Sequence, residues 1–190
     1  DLILNNIPKN TKTILDVGCG SGNLALKLLN AGYDVDGVIP SKYLAKAVKE
    51  KLNGKGQVFV SKFENVKLKK KYDLIIFSES FQYVNMELAL KKINASLIEG
   101  GYLLICDFFK LKVNEKSLMG GGHKWTSFQH IIKLSELTKT NEIDITHETA
   151  PTIDFLNNFC QEVLKPVGEM TSQFLLSNYP LITKIIKWKY

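Results

Sequence analysis

Asp16-Val17-Gly18-Cys19-Gly20-Ser21-Gly22 combines a carboxylate with three glycines spaced by single residues. The stretch grows out of the apolar run Ile14-Leu15-Asp16-Val17 and leads into an amphipathic segment over Asn23–Asn30. A glycine turn between a buried strand and a helix lets a ligand lie against bare backbone while the first helical N–H groups point at it, which suits a nucleotide-like molecule. A plain tight turn would use the same glycines, so the strand before and the helix after carry the reading.

A second set of candidates closes two later apolar runs. Ser78-Glu79-Ser80-Phe81-Gln82-Tyr83 follows Tyr72-Asp73-Leu74-Ile75-Ile76-Phe77, and Asp107-Phe108-Phe109 follows Tyr102-Leu103-Leu104-Ile105-Cys106. If these runs are strands, both sets sit at carboxyl ends, where open α/β sheets bind ligands. Glu79, Gln82 and Tyr83 are then candidates to touch substrate or line a pocket, while Phe81 can equally fill core. Farther on, Gly120-Gly121-Gly122-His123-Lys124-Trp125 puts a histidine and a tryptophan behind a triple glycine, the pattern of a mobile lid or substrate loop. His123 is the preferred general base, because histidine exchanges a proton near neutrality without special tuning. His130 and His147 lack that context.

The elements that must position these residues follow from periodicity. Strands are predicted at 14–17, 33–38, 57–61, 72–77 and 102–106, alternating with helices at 23–30, from an N-cap at Ser41, and at 86–97 ending on Gly100-Gly101. The second helix is expected to bury Leu44, Ala47, Val48 and Leu52 and to expose Lys42, Lys46 and Lys49. Strand and helix in alternation predict an α/β fold, a Rossmann-like open, mostly parallel sheet with helices on both faces. Beyond Asp107 a helix is expected over about 127–138 and a sixth strand at 142–147. A helix started by Pro151-Thr152 over 152–164 should carry Phe155, Phe159 and Val163 on one stripe and stop at Pro166 and Gly168. The organisation expected is an α/β domain over 1–149 with a helical segment, 150–190, packed on it as a lid or insertion.

Bulk properties narrow the partners. A chain of 190 residues with 45% hydrophobic residues suits one domain with a substantial core. The net charge is +6, and all 25 basic residues are lysines. Without arginine's bidentate fork a sequence-reading nucleic-acid partner is disfavoured. Cys19, Cys106 and Cys160 are widely spaced without a CxxC pair, which argues against a disulfide framework and a structural zinc, and a reducing, cytoplasmic setting is expected with no metal. The start of the sequence has no signal-peptide pattern, and no apolar run approaches the roughly 18 residues that span a bilayer. Residues 181–190 read as a basic amphipathic helix, expected to dock on the domain, with weak membrane-surface contact as the alternative.

On these residues the chain resembles the class I S-adenosylmethionine-dependent methyltransferases of small-molecule type. The resemblance covers about residues 12–110. It rests on Ile14 to Gly22 as the first motif, on Tyr72-Asp73-Leu74-Ile75, and on Gly100-Gly101-Tyr102-Leu103-Leu104-Ile105. It implies S-adenosylmethionine as cofactor and S-adenosylhomocysteine as product. Asp16 would face the cofactor's ammonium, and Gly18, Cys19, Gly20 and Gly22 would line its pocket. Phe63 would lie against adenine with Glu64 near the amine, and Ser78 would close the pocket. The family usually ends strand two in an acid that holds both ribose hydroxyls, and here that position is Ile39, which cannot accept a hydrogen bond; Ser41 or Tyr43 would have to serve. Beyond the resemblance, the aromatic content of the chain suggests methylation of oxygen, carbon or nitrogen on a small apolar or aromatic acceptor, covered by residues 155–176 and the His123 loop, with Glu79, Tyr83 and His123 as the expected catalytic group. A catalytically inactive methyltransferase-like partner or regulator is the alternative, and a nucleic-acid or protein methyltransferase the third reading.

Overall fold

The structure, a computed structural model, describes residues 2–111 and 122–178. After a short helix α1 (Leu2–Asn5), strands and helices alternate: β1 (Thr13–Val17), α2 (Asn23–Asn30), β2 (Asp34–Val38), α3 (Lys42–Leu52), β3 (Val58–Phe59), β4 (Tyr72–Ser78), α4 (Met86–Ser96) and β5 (Leu97–Cys106). The strands form a five-stranded sheet in the order β3-β2-β1-β4-β5. Every neighbouring pair is parallel. This is the open parallel sheet that the alternation predicts.

Its core has two sides. One face of the sheet presents Leu15, Val17, Val38, Ile75 and Phe77 to Ala89, Leu90 and Ile93 of α4. The other presents Ile14, Val35, Leu74 and Ile76 to Ala25 and Leu28 of α2 and to Ala45, Val48 and Leu52 of α3. With helices on both faces, central strands are apolar throughout, which explains the unbroken run in β4. Ala45, not Ala47, is the buried alanine of α3, because it shares the stripe of Val48 and Leu52.

Two polar clamps pin the sheet. Asp73 Oδ2 accepts the Thr13 amide at 2.7 Å, the Lys12 amide at 3.0 Å and the Thr13 hydroxyl at 2.9 Å, tying the starts of β1 and β4 together. These bonds, the Thr13 amide foremost, hold its carboxyl below the ordinary aspartate value. Asp36, buried in β2, accepts the Tyr72 hydroxyl at 2.8 Å and the Gln57 amide at 2.7 Å, and pairs with Lys70 at 2.9 Å. Burial and the Asp36 carboxylate push the Tyr72 hydroxyl far above its ordinary value.

Beyond β5 the pattern departs from expectation. Two short parallel strands, β6 (Phe109–Lys110) and β7 (His123–Lys124), form a separate sheet, followed by α5 (Trp125–Lys133), which ends earlier than predicted. No strand forms at 142–147; instead α6 (Thr146–Phe159) begins there. Asp144 accounts for the difference, since its carboxylate accepts the Thr146 amide at 2.9 Å and opens the helix. Pro151 lies inside α6 rather than at its start. Pro166 and Gly168 do not stop the chain's winding either. A wide π turn over Cys160–Leu164 precedes α7 (Lys165–Asn178), which contains both. A loosened turn before a proline is a usual way for a helix to absorb the missing N–H.

The chain divides into two compact units, Asp1–Lys139 and Thr140–Tyr190, with the boundary earlier than the 149/150 expected. The second unit is helical among its described residues, and its expected buried stripe is exposed, with Phe155 at 69%. Residues 112–121, including Gly120 and Gly121, and the basic segment 181–190 lie outside the described residues. No described helix is long and apolar enough to cross a membrane.

Candidate functional site

The strand order reverses direction at β1: β2 and β3 lie on one side of it, β4 and β5 on the other. A crevice must open where the loops after β1 and β4 part to opposite faces, and this is the position at which open α/β sheets hold ligands. The glycine turn Gly18–Gly22 and the loop from Ser78 to Tyr83 border that crevice.

The glycine turn is shaped by left-handed backbone at Gly18, Gly20 and Gly22, with φ of 72°, 52° and 80°. Gly18 is irreplaceable on packing grounds as well: a Cβ there would lie 2.4 Å from Ser80 Cβ. The two loops are locked by Ser80 Oγ, which donates to the Val17 carbonyl at 2.5 Å. The amides of Gly18 and Cys19 donate to the Val38 carbonyl at 2.8 and 3.3 Å, and the Gly22 amide to Cys19 at 2.8 Å. Gly20 has only open space where a side chain would stand, so its backbone is bare on that side.

Asp16 ends β1 just beneath this turn. It is 1% exposed, and its Oδ2 has no hydrogen-bond partner among the described residues. Burial pushes its carboxyl from 3.8 up to about 7. An isolated buried carboxylate is costly, and the cost falls if a cation is brought to it. Cys19 is buried, and burial, reinforced by the charge of Asp16, pushes its thiol up to about 12. It is therefore a packing residue and not a nucleophile.

The far end of the crevice is built from the end of β2, the start of α3 and the loop after β3. Ile39 is 5% exposed and packs in the α2/α3 side of the core, so strand two ends in an apolar plug with no acceptor. Ser41 Oγ caps α3 by accepting the Leu44 amide at 3.2 Å, and Tyr43 is exposed. Phe63 is 3% exposed and meets Phe77 edge to face at 5.2 Å. Its ring is part of the core on the α4 side of the sheet. Glu64 Oε1 accepts the amide of Asn85, the N-cap of α4, at 3.0 Å, which leaves its second oxygen for other partners.

The loop after β4 is strained and ordered. Glu79 takes φ of 56°, a left-handed conformation unusual for a residue with a Cβ, and its amide donates to the Cys106 carbonyl at 2.8 Å. Tyr83 is 79% exposed, whereas Phe81 is fully buried between Phe77, at 5.2 Å, and Phe128, at 5.7 Å. His123, at the start of β7, is half-buried; its Nε2 lies 2.9 Å from the Phe81 carbonyl. A carbonyl only accepts, so Nε2 carries the proton and, in the neutral ring, Nδ1 carries the lone pair. The structure thus brings His123 to the same loop as Glu79 and Tyr83, and sets Asp16 and the glycines against that loop through Ser80. Sequence reading missed Ser80, whose only signal is its place two residues beyond strand four.

Known proteins similar to this chain are methyltransferases. A family model described as a methyltransferase domain matches residues 15–105. The ubiquinone biosynthesis O-methyltransferase of Pelagibacter ubique is 28% identical over 169 residues, 79% of this chain and 68% of that protein. An uncharacterized methyltransferase of Alkaliphilus oremlandii is 31% identical over 96 residues, 49% of this chain and 44% of that protein. The solved O-methyltransferase segment of StiE superposes with a TM-score of 0.68 at 18% identity, covering 78% of this chain and 54% of that one, and shows the shared fold. The chain spans from under half to about two thirds of the length of these relatives. With the glycine turn at the reversal point of a β3-β2-β1-β4-β5 sheet, residues 15–105, from within β1 to near the end of β5, form a methyltransferase domain of the class I type that uses S-adenosylmethionine.

Proposed function

We propose that this chain methylates a small apolar or aromatic acceptor, with Asp16, Gly18, Cys19, Gly20 and Gly22 holding the methionine end of S-adenosylmethionine. The observation that carries the reading is the buried Asp16 carboxylate with an unpaired oxygen beneath a bare glycine turn. A ligand ammonium is the complement of that oxygen, and the left-handed glycines leave room for the ligand's chain. When bound, S-adenosylmethionine would supply an activated methyl group on its sulfonium, with S-adenosylhomocysteine as the product after transfer.

The chain's own tasks are alignment and exclusion of water. Glu79, held in strained backbone at the crevice mouth, and exposed Tyr83 orient the acceptor. The lone pair of His123 Nδ1 takes the proton of an acceptor hydroxyl as its oxygen is methylated. The O-methyltransferase name of the Pelagibacter ubique relative favours oxygen as the methylated atom. Ser78 and the free oxygen of Glu64 serve the adenosine side. Ile39 contributes apolar contact only, so ribose must be gripped by Ser41 or Tyr43, and affinity rests mainly on the methionine end.

Titration calorimetry tests the reading. S-adenosylmethionine and S-adenosylhomocysteine should both bind, Asp16→Ala should abolish binding, and absence of binding at millimolar ligand would sink it. Ile39 favours one second reading, a methyltransferase-like subunit without turnover. Binding of cofactor with no methyl transfer to any phenolic or catecholic acceptor would select it.

A further inference from the structure

The peptide group between Phe81 and Gln82 is gripped from both sides. Its carbonyl oxygen accepts from His123 Nε2 at 2.9 Å, and its N–H donates to Asp107 Oδ2 at 3.0 Å. Asp107 follows directly on β5, and its other oxygen accepts the Phe108 amide at 2.8 Å, so the carboxylate is itself fixed. The second lone pair of the Phe81 carbonyl goes to the Val84 amide at 3.2 Å, which closes the short helical turn. Every polar atom of this peptide is thus committed, and its plane cannot rotate without breaking a bond to the imidazole or to the carboxylate.

Hydrogen bonds in series polarise one another. A negative carboxylate on the N–H draws the peptide's electrons toward its carbonyl oxygen, which makes that oxygen a better acceptor for the imidazole N–H. The logic is that of a carboxylate orienting a catalytic histidine, with a peptide group standing between them. Phe81 is fully buried, and its ring meets the His123 ring edge to face at 5.6 Å, so the relay runs beside an apolar wall where such bonds are stronger than in water.

We propose that Asp107 is a positioning residue that acts through the Phe81–Gln82 peptide to hold His123 as the Nε2–H tautomer, with Nδ1 as the free base. The inference deepens the reading given above, because it concerns the base of that same site. It joins the ends of β4 and β5 to β7 through one peptide, and so makes the histidine's protonation pattern depend on a residue that need not touch the acceptor.

The test is a long-range nitrogen–proton correlation spectrum of the ligand-free chain above about pH 8, where a histidine ring is ordinarily neutral. The His123 signals are assigned by their loss in His123→Gln. Wild-type His123 should show the Nε2–H tautomer. In Asp107→Ala the peptide plane is released, and the Nε2–H to Nδ1–H ratio should fall, by under about twofold from lost polarisation alone and by about fivefold where the peptide turns and the whole Phe81 bond to the imidazole is lost. Asp107→Asn keeps an acceptor for the Gln82 amide but removes the charge, so its ratio should lie between the two, and it serves in place of the alanine variant if that one unfolds. A dominant Nδ1–H tautomer in the wild type, or an unchanged ratio in a folded variant, overturns the proposal. Cofactor calorimetry on the same samples keeps the two readings apart: lost cofactor binding with the tautomer pattern intact defeats the methyl-transfer reading alone.

Discussion

Replacing Asp16 by asparagine should make the ligand-free chain more stable at alkaline pH, relative to wild type, than at acid pH. The side chain keeps its size and loses its charge. Burial raises the native carboxyl from 3.8 to about 7. At about 1.4 kcal/mol per pH unit that rise is equivalent to about 4 kcal/mol. The native state holds this proton more tightly than the unfolded chain does. Stability therefore falls as pH rises from the unfolded value through the native one, and it is level above about pH 8. Of the total, about 3 kcal/mol accrues between about pH 5 and about pH 8. Urea unfolding of both proteins at those two pH values measures it. The fixed cost of burying an amide is present at both and cancels in the difference. Saturating S-adenosylmethionine should shrink the effect, since an ionised Asp16 paired with an ammonium is no longer penalised. Parallel pH dependences for the wild type and Asp16→Asn would refute the claim that Asp16 is the isolated buried acid of this fold.

Two further substitutions probe the frame around the site. Gly18→Ala places a Cβ 2.4 Å from Ser80 Cβ on a backbone with φ of 72°, and overpacking with left-handed strain should cost at least about 2 kcal/mol in thermal unfolding. Adding Ser80→Gly should recover part of the loss, and an unchanged midpoint in Gly18→Ala would show that the loops are not locked together. Tyr72→Phe removes the hydroxyl that Asp36 accepts at 2.8 Å, and a loss of about 1–3 kcal/mol is expected in urea unfolding with cofactor binding retained. Wild-type stability in that variant would mean that Lys70 and the Gln57 amide satisfy Asp36 unaided.

The parts of the fold that were legible in the sequence are those governed by local rules. The run from Tyr72 to Phe77 could only be a strand covered on both faces, and the Ser41 cap is written in residue type. Where the sequence misled, a nonlocal or competing interaction was responsible. The alternation of Glu142 to His147 suits a strand, but Asp144 captures the Thr146 amide and starts a helix. The burial of Phe63 against the Phe77 ring likewise depends on a residue distant in the chain.

The sequence by itself determined the parallel sheet, the glycine turn and the presence of a carboxylate at its base, because periodicity and glycine spacing act over a few residues. Only the tertiary structure decided that the Asp16 oxygen is left without a partner, that Ile39 seals the end of strand two, and that His123 and Asp107 grip one peptide from opposite sides. Burial and hydrogen-bond partnership belong to groups brought together from distant parts of the chain. Neither can be read from the residue that bears the charge.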